Sequence, residues 1–350
     1  MEVYVLNKDF YPIYSIDSYE SLLWTERYDQ YSDFELVLPV QNAALDLLRP
    51  GNYIVKTDST KTMIIEDVPI ENDVEEGDRV IISGRSLESI LDRRIIWSQR
   101  LLDMNLEAAI FAILNENVVS PTVSARKING IVLQASGDSS ITGTTVKSQY
   151  HGEEVYRVVE ELCKLHSIGF KIERDASNQM IFQLYTGVDR SLGQTANSPV
   201  IFSPEFDNLI RSNFIESTKT YKNVALVGGE GEGTDRKTVT VGDNTLTDLN
   251  RRELFVESLI SSNNDTITTT VYNQQLATRG EEELNYYSLA YTFEGEAEPF
   301  SMFRYGVDYF IGDIVQMINE YGIENRARIS ELIASYAKEG MSLIPTFTVI

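Results

Sequence analysis

The chain carries one cysteine, Cys163, and two histidines, His151 and His166. A single thiol excludes an intramolecular disulfide and a cysteine-rich zinc site, and two imidazoles argue against a histidine-based metal centre. Positive charge is scarce as well. Against 53 Asp and Glu stand 30 Lys and Arg, a formal net charge of −23. Such a surface repels nucleic acid and anionic membranes at long range, so stable DNA binding is not expected. The acids are scattered rather than run together, which argues against an acidic tail. The longest apolar stretch, Ala108 to Leu114, is far too short to span a bilayer. Met1-Glu2-Val3-Tyr4 has no basic and then apolar character, so neither signal peptide nor membrane anchor is expected, and synthesis in a cytoplasm is. Low-complexity segments, internal repeats and long linkers are also missing.

What is present is strand-forming. Tyr and Phe number 19 and 14, with Val, Ile and Thr spread throughout, a mixture suited to half-buried pleated surfaces. The length leads to an expectation of two or three domains. In residues 1–99, Val3–Leu6, Phe34–Leu38, Asn52–Thr57, Thr62–Ile70 and Asp78–Ser83 read as strands, separated by turn sets such as Asp58-Ser59-Thr60 and Glu75-Glu76-Gly77. Strands at this spacing predict an antiparallel barrel or sandwich. Ser86 is expected to cap a short helix through Arg94.

Residues 100–205 read as a smaller α+β domain. Helices are predicted over Asn105–Asn115 and Glu153–Ser167, the latter with Val155, Val158, Val159, Leu162, Cys163 and His166 at the 3.6 period. A hairpin of Phe170–Glu173 and Met180–Tyr185 follows across Asp175–Gln179. Residues 206–350 return to strands at Phe214–Tyr221, Asn223–Val227, Thr238–Val241, Tyr309–Ile318, Ala327–Lys338 and Leu343–Val349. Among them lies a long helix near 266–288, interrupted at Gly280.

Each chemical signal has a plainer competitor. Gly228-Gly229-Glu230-Gly231-Glu232-Gly233 lacks the Lys-Ser/Thr and the helix start of a phosphate loop, so a flexible hairpin loop is expected. Cys163 and His166 share a helix face, where a buried thiol and a core histidine outweigh a catalytic pair. His151 stands in a loop without an implied partner. Glu281-Glu282-Glu283 reads as a solvated helix face, and Gly312-Asp313 as a turn rather than an anion or metal site. No nucleophile elbow or zinc-protease motif occurs. No catalytic, cofactor-binding or metal residue is assigned, and no cofactor is expected.

Four blocks occur in a family's order. Ser21-Leu22-Leu23-Trp24-Thr25-Glu26-Arg27-Tyr28 with Asp33-Phe34-Glu35-Leu36 comes first, then Ser83-Gly84-Arg85-Ser86-Leu87 with Leu91-Asp92-Arg93-Arg94-Ile95-Ile96. Val227-Gly228-Gly229-Glu230-Gly231 with Arg251-Arg252-Glu253 is third, and Gly312-Asp313-Ile314-Val315 with Arg328-Ile329 fourth. Together they resemble the Siphovirus tail-tip hub, or tail-associated baseplate hub, family of phage structural proteins. The resemblance implies a strand-rich α+β fold, with two β-barrel-like, tail-tube-like domains (1–99 and 206–350) flanking the α+β domain. It also implies a homotrimeric ring in the virion that lines or closes the DNA channel during ejection. The implied partners are a distal tail protein hexamer, a tape-measure protein and tip or receptor-binding proteins. The chain ends at Ile350 without the extension that carries lysin or receptor-binding activity in some relatives, so such activity is expected elsewhere. Two other readings stand beside the hub: a tail-tip cell-wall or polysaccharide hydrolase, and a carbohydrate-binding module for the host surface.

Overall fold

The computed structural model describes residues 2–40, 45–72, 77–262, 266–297, 302–338 and 340–350; Glu75 and Glu76 of the expected turn lie outside them. The first region contains β1 (Val3–Leu6), β2 (Pro12–Ile16), β3 (Ser21–Arg27), β4 (Asp33–Pro39), β5 (Tyr53–Lys56), β6 (Thr62–Ile64), β7 (Ile70–Glu71) and β8 (Arg79–Arg85). The middle holds β9 (Arg100–Asn105), α1 (Leu106–Leu114), β10 (Ile131–Gln134), α2 (Ser139–Thr142), β11 (Thr145–Tyr150), α3 (Val155–Leu165), β12 (Gly169–Arg174) and β13 (Met180–Tyr185). The last region supplies β14 (Ile201–Phe202), β15 (Leu209–Ser217), β16 (Val224–Gly228), β17 (Thr238–Gly242), β18 (Glu253–Glu257), α4 (Thr269–Tyr286), β19 (Ala290–Ala297), β20 (Ile314–Ile318), β21 (Glu324–Ala337) and β22 (Gly340–Val349). The strand-rich α+β class is therefore what the aromatic and β-branched content and the turn spacing indicated.

The barrels are not closed. The main sheet runs β15-β19-β22-β21-β3-β4-β8-β7, with β20 on β21 and β14 on β20. Its end strands β15 and β7 do not pair among the described residues. Strands from the two ends of the chain meet where Glu331–Ala337 lie antiparallel to Ser21–Arg27. The physical reason is β21, which is long and irregular. Its N-terminal half pairs β20 and its C-terminal half pairs β3, and the register against β22 shifts between Ile329 and Glu331. Such a bulge bends a strand. Ala327 and Ile329 accordingly enter one core with Phe202, Val315 and Phe347. Leu332 and Ala334 enter another with Trp24, Leu36 and Ile82. One hairpin thus serves two cores and holds the sheet open.

Other expectations are refined locally. Thr62–Ile70 breaks after Ile64, and its far end pairs β8 instead of β5. Leu87–Arg93 is a 3-10 turn, and the Ser86 side chain does not cap it; Ser86 Oγ instead accepts the Ser32 amide at 2.8 Å. Asn105 does cap α1, accepting from Ala108 N at 2.8 Å, and α1 buries Leu106, Ile110, Ile113 and Leu114. The largest core gathers α1, α3, β12 and β13 around Phe170 and Phe182. A fourth core belongs to a lobe inserted between β15 and β19, in which α4 packs on the sheet β17-β16-β18. Helix α4 is unbroken at Gly280. A Cβ there would meet Val241 and Val227 at 2.5 and 2.6 Å, so the glycine brings the helix down onto the sheet rather than ending it.

Candidate functional site

Three regions of the chain converge on Tyr28, which follows directly after β3. Its ring is buried and fills a notch left by two glycines. A Cβ on Gly169 would stand 2.4 Å from the ring, and one on Gly312, whose φ is +90°, 2.5 Å. The hydroxyl donates to the carbonyls of Ser167 (3.1 Å) and Tyr185 (3.3 Å), and burial pushes its pKa up to about 12. It therefore stays a protonated donor at neutral pH. Tyr185 packs edge-on at 5.2 Å. The Arg328 guanidinium lies 4.7 Å above the Tyr28 ring and donates to Gly312 O at 2.8 Å. Tyr28 N donates to Ser330 O at 3.0 Å, at the bulge of β21. The first, middle and last regions are thus fastened at the point where β21 passes from one core to the other.

The neighbouring residues of β3 extend the junction. Buried Glu26 accepts from Trp24 Nε1 (3.1 Å), Ser59 Oγ (2.6 Å) and Tyr305 Oη (2.7 Å). Arg27 pairs with Glu331 at 2.6 Å and also with Asp33. Nearby, Lys61 and Glu88 form a fully buried ion pair of 2.6 Å, and Glu88 Oε1 also accepts the Ile172 amide of β12 at 3.0 Å. Burial alone would lower the Lys61 pKa, but the Glu88 carboxylate more than offsets it and the net shift is upward. The second carboxylate oxygen of Glu88 has no partner. This geometry locks parts of the chain together.

The residues singled out in the sequence fall as follows. Asp313 is buried and spends its carboxylate on the Val188 and Phe310 amides (2.7 and 3.1 Å) and on Arg190 (2.8 Å); Gly312-Asp313 is a structural turn. Cys163 is fully buried, and burial drives its thiol pKa well up. His166 lies at the end of α3, only half-buried, and burial lowers its pKa. It has left the apolar stripe, because the helix ends there. His151 is exposed in its loop, where its amide donates to Glu153 at 2.6 Å. Among the described residues no group of three or more His, Cys, Asp or Glu is placed to hold a metal, and no helix is long and apolar enough to cross a membrane.

The glycine-rich segment does connect two antiparallel strands, β16 and β17, but it is stapled instead of loose. Glu230 accepts from Ser261 Oγ (2.7 Å), Ser262 Oγ (2.6 Å) and Ser262 N (2.8 Å). These hydroxyl bonds hold its pKa down at about 2. Gly229 is required because a Cβ there would lie 2.2 Å from the Tyr272 hydroxyl.

Sequence reasoning missed Glu282. The run Glu281-Glu282-Glu283 is not wholly a solvated face: Glu281 is exposed, but Glu282 is buried. Its carboxylate accepts from Tyr150 Oη at 2.7 Å and from Arg279 at 3.1 Å. Helical spacing from Tyr272 through Leu276 and Arg279 was the available signal. Lys61 and Glu88 were missed as well, and Glu88 stood out only as a charge beside apolar Leu87, Ile90 and Leu91.

The architecture is that of phage tail proteins. The 43 kDa tail protein of prophage MuSo2 from Shewanella oneidensis is similar at a TM-score of 0.61 and 14% identity, covering 99% of this chain and 98% of that one. A tail protein from Neisseria meningitidis MC58 is similar at 0.56 and 14%, covering 99% and 95%. A chain of the Francisella PdpA–VgrG complex is similar at 0.51 and 12%, covering 99% and 52%. No curated protein matches the chain. Its fold class is thus that of a phage tail or baseplate-type structural protein. The chain belongs to the siphovirus tail protein family described as Siphovirus ReqiPepy6 Gp37-like protein, whose profile matches residues 2–347.

Proposed function

We propose that this protein is a hub subunit of a siphovirus tail tip, three copies of which form a ring. The ring joins the tail tube and a distal tail protein hexamer to the tip, and lines or closes the DNA channel. The observation that carries this reading is the family match over residues 2–347, together with a sheet that joins both ends of the chain through β3 and β21. In this reading residues 1–99 and 206–350 each supply one tube-like β unit, and residues 100–205 stand outside as the α+β unit. Three copies then present six β units to a sixfold tube. The tape-measure and tip proteins are the further partners, the virion tail tip is the location, and the host cytoplasm is where the chain is made. The role is mechanical, with no catalysis by this chain.

The net charge of −23 gives the channel wall an acidic or neutral character in this reading. Each basic contact to a phosphate would add salt-sensitive affinity and slow DNA in transit. Light scattering of the purified protein with its distal tail partner, followed by electron microscopy of tails, tests the proposal. A trimer on the tail axis is expected. A stable dimer or tetramer, a non-trimeric ring in particles, or a lysine- and arginine-lined channel would refute it.

A further inference from the structure

The lobe of residues 218–289 is an insertion between two neighbouring strands of the main sheet. Its two ends leave the main sheet side by side, where Ser217 faces Ala290 across β15 and β19. They are tied at the neck by Lys222 N donating to Tyr287 O at 2.9 Å. Its core of Ala225, Val227, Val241, Val256, Tyr272 and Leu276 is a cluster of its own, sharing no residue with the core of α1, α3, β12 and β13. Where α4 crosses α3 and β11, the specific ties are polar. Arg279 pairs with Glu161 of α3 at 2.9 Å, and with Glu282 and Glu283 of its own helix at 3.1 and 2.6 Å. Tyr150 of β11 donates to Glu282, and Gln149 exchanges two hydrogen bonds with the Ser261 backbone at 3.1 and 2.8 Å. A cleft of about 430 Å³ opens beside Arg279 and Glu282, a second of about 370 Å³ beside Glu282, and a smaller one of about 130 Å³ beside Arg279. Solvent thus borders the seam on the sides where these groups lie.

We propose that the 218–289 lobe is a hinged element, clasped to the body by the Arg279–Glu161 ion pair and the Tyr150–Glu282 hydrogen bond and swinging on the β15–β19 neck when the clasp is broken. Arg279 faces three carboxylates, one of which, Glu161, it shares with Arg157, so ionisation of Glu282 leaves the cluster with an excess of negative charge. Across the seam Glu282 faces Tyr150 on β11, Glu161 on α3, and Asp29 and Arg328 over the second cleft. On α4 it faces Arg279 and Glu283. Arg157, Glu160 and Lys164 line the first cleft, and His151, Glu153 and Glu257 the smallest. Arg157 and Lys164 are already paired, with Glu161 and Glu160. Burial is the main force on Glu282 and raises its pKa to about 7, with Glu161 adding to the rise and Tyr150 and Arg279 opposing it. The docked lobe therefore holds a proton that a solvated Glu282 would release. Docking is strongest below the ordinary carboxylate range, weakens as pH rises, and reaches its minimum above pH 7.

The experiment places spin labels on the full chain at Leu249→Cys in the lobe and Val123→Cys in the body; both positions are exposed, and Cys163 is too buried to react. Distance distributions are recorded from pH 5 to 9, with trypsin cleavage at Lys219 and Lys222 as a second readout. A second distance population is expected to grow with pH by up to about tenfold per unit until pH 7 and then level off. Glu282→Gln should hold the single docked distance at every pH. Arg279→Ala should populate the second distance throughout and speed cleavage in the neck. One unchanged distance in the parent and in Arg279→Ala across the whole range would overturn the proposal, as would pH-dependent opening that persists in Glu282→Gln.

Discussion

The junction at Tyr28 and the seam at Arg279 both fasten sequence-distant parts of the chain, but with opposite materials. At Tyr28 a buried ring fills a notch between two glycines, and its hydroxyl is spent on two backbone carbonyls. At Arg279 a guanidinium bridges carboxylates beside open clefts. Close packing contributes many small contacts that vanish together when the parts separate, so it makes a rigid joint. Pairs of partly exposed charges, such as Arg279 with Glu161 and Glu283, contribute little net stability, and buried Glu282 makes the seam respond to pH. The contrast teaches where this fold resists motion and where it permits it.

Four sites and one condition press on that contrast, the largest effect first. Tyr28→Ala should cost about 3–5 kcal/mol in denaturant unfolding, since it empties a filled notch. Tyr28→Phe should cost only about 1 kcal/mol through the lost hydroxyl. If Arg279→Ala destabilised the whole protein as much as Tyr28→Ala, the two joints would not differ in kind. Lys61→Met should cost about 3–5 kcal/mol by leaving Glu88 charged in the interior, and adding Glu88→Leu should recover most of the loss. A double variant no better than the single one would mean that packing, not charge, governs that part of the body.

Gly280→Val should cost about 1–3 kcal/mol by pushing α4 off Val227 and Val241. Faster amide exchange should then be confined to the lobe; exchange that spread into α1 or β12 would show the lobe to be welded to the body. Acid separates the lobe's internal staple from its clasp. Glu230 has a folded-state pKa of about 2, below its unfolded value, so its contribution is present above the ordinary carboxylate range and is lost only as pH falls through about 2. The Ser262 amide should therefore stay protected at pH 4 by hydrogen exchange, whereas the Glu282 clasp changes nearer pH 7. The smallest effect belongs to His166→Gln, expected within about 0.5 kcal/mol. With Cys163→Ser added, phage assembly and infectivity should stay within a few-fold of the parent. Loss of a cell-wall-degrading activity in the double variant would contradict the mechanical reading.

The sequence by itself determined the local elements. Short strand-forming runs bounded by turn residues marked β1, β4, β5, β16 and β17, and the 3.6 period marked α1 and α3, because burying one face of a helix imposes that spacing. The family blocks were legible for a related reason. Tyr28, Gly312 and Arg328 are distant in sequence, but each has a side chain, or the lack of one, that the junction needs. Tertiary structure alone decided the rest. Nothing local tells β21 that its halves serve two cores, since the bulge at Ser330 takes its meaning from strands that arrive from the other end of the chain. Gly280 signals a break by propensity, and only the approach of Val227 and Val241 makes it a contact point. Glu282 is charged by type and buried by circumstance. Its partners Tyr150 and Arg279 and the neighbouring carboxylate of Glu161 come from three elements, and which charges end up together is a property of packing, on which propensity and pattern are silent.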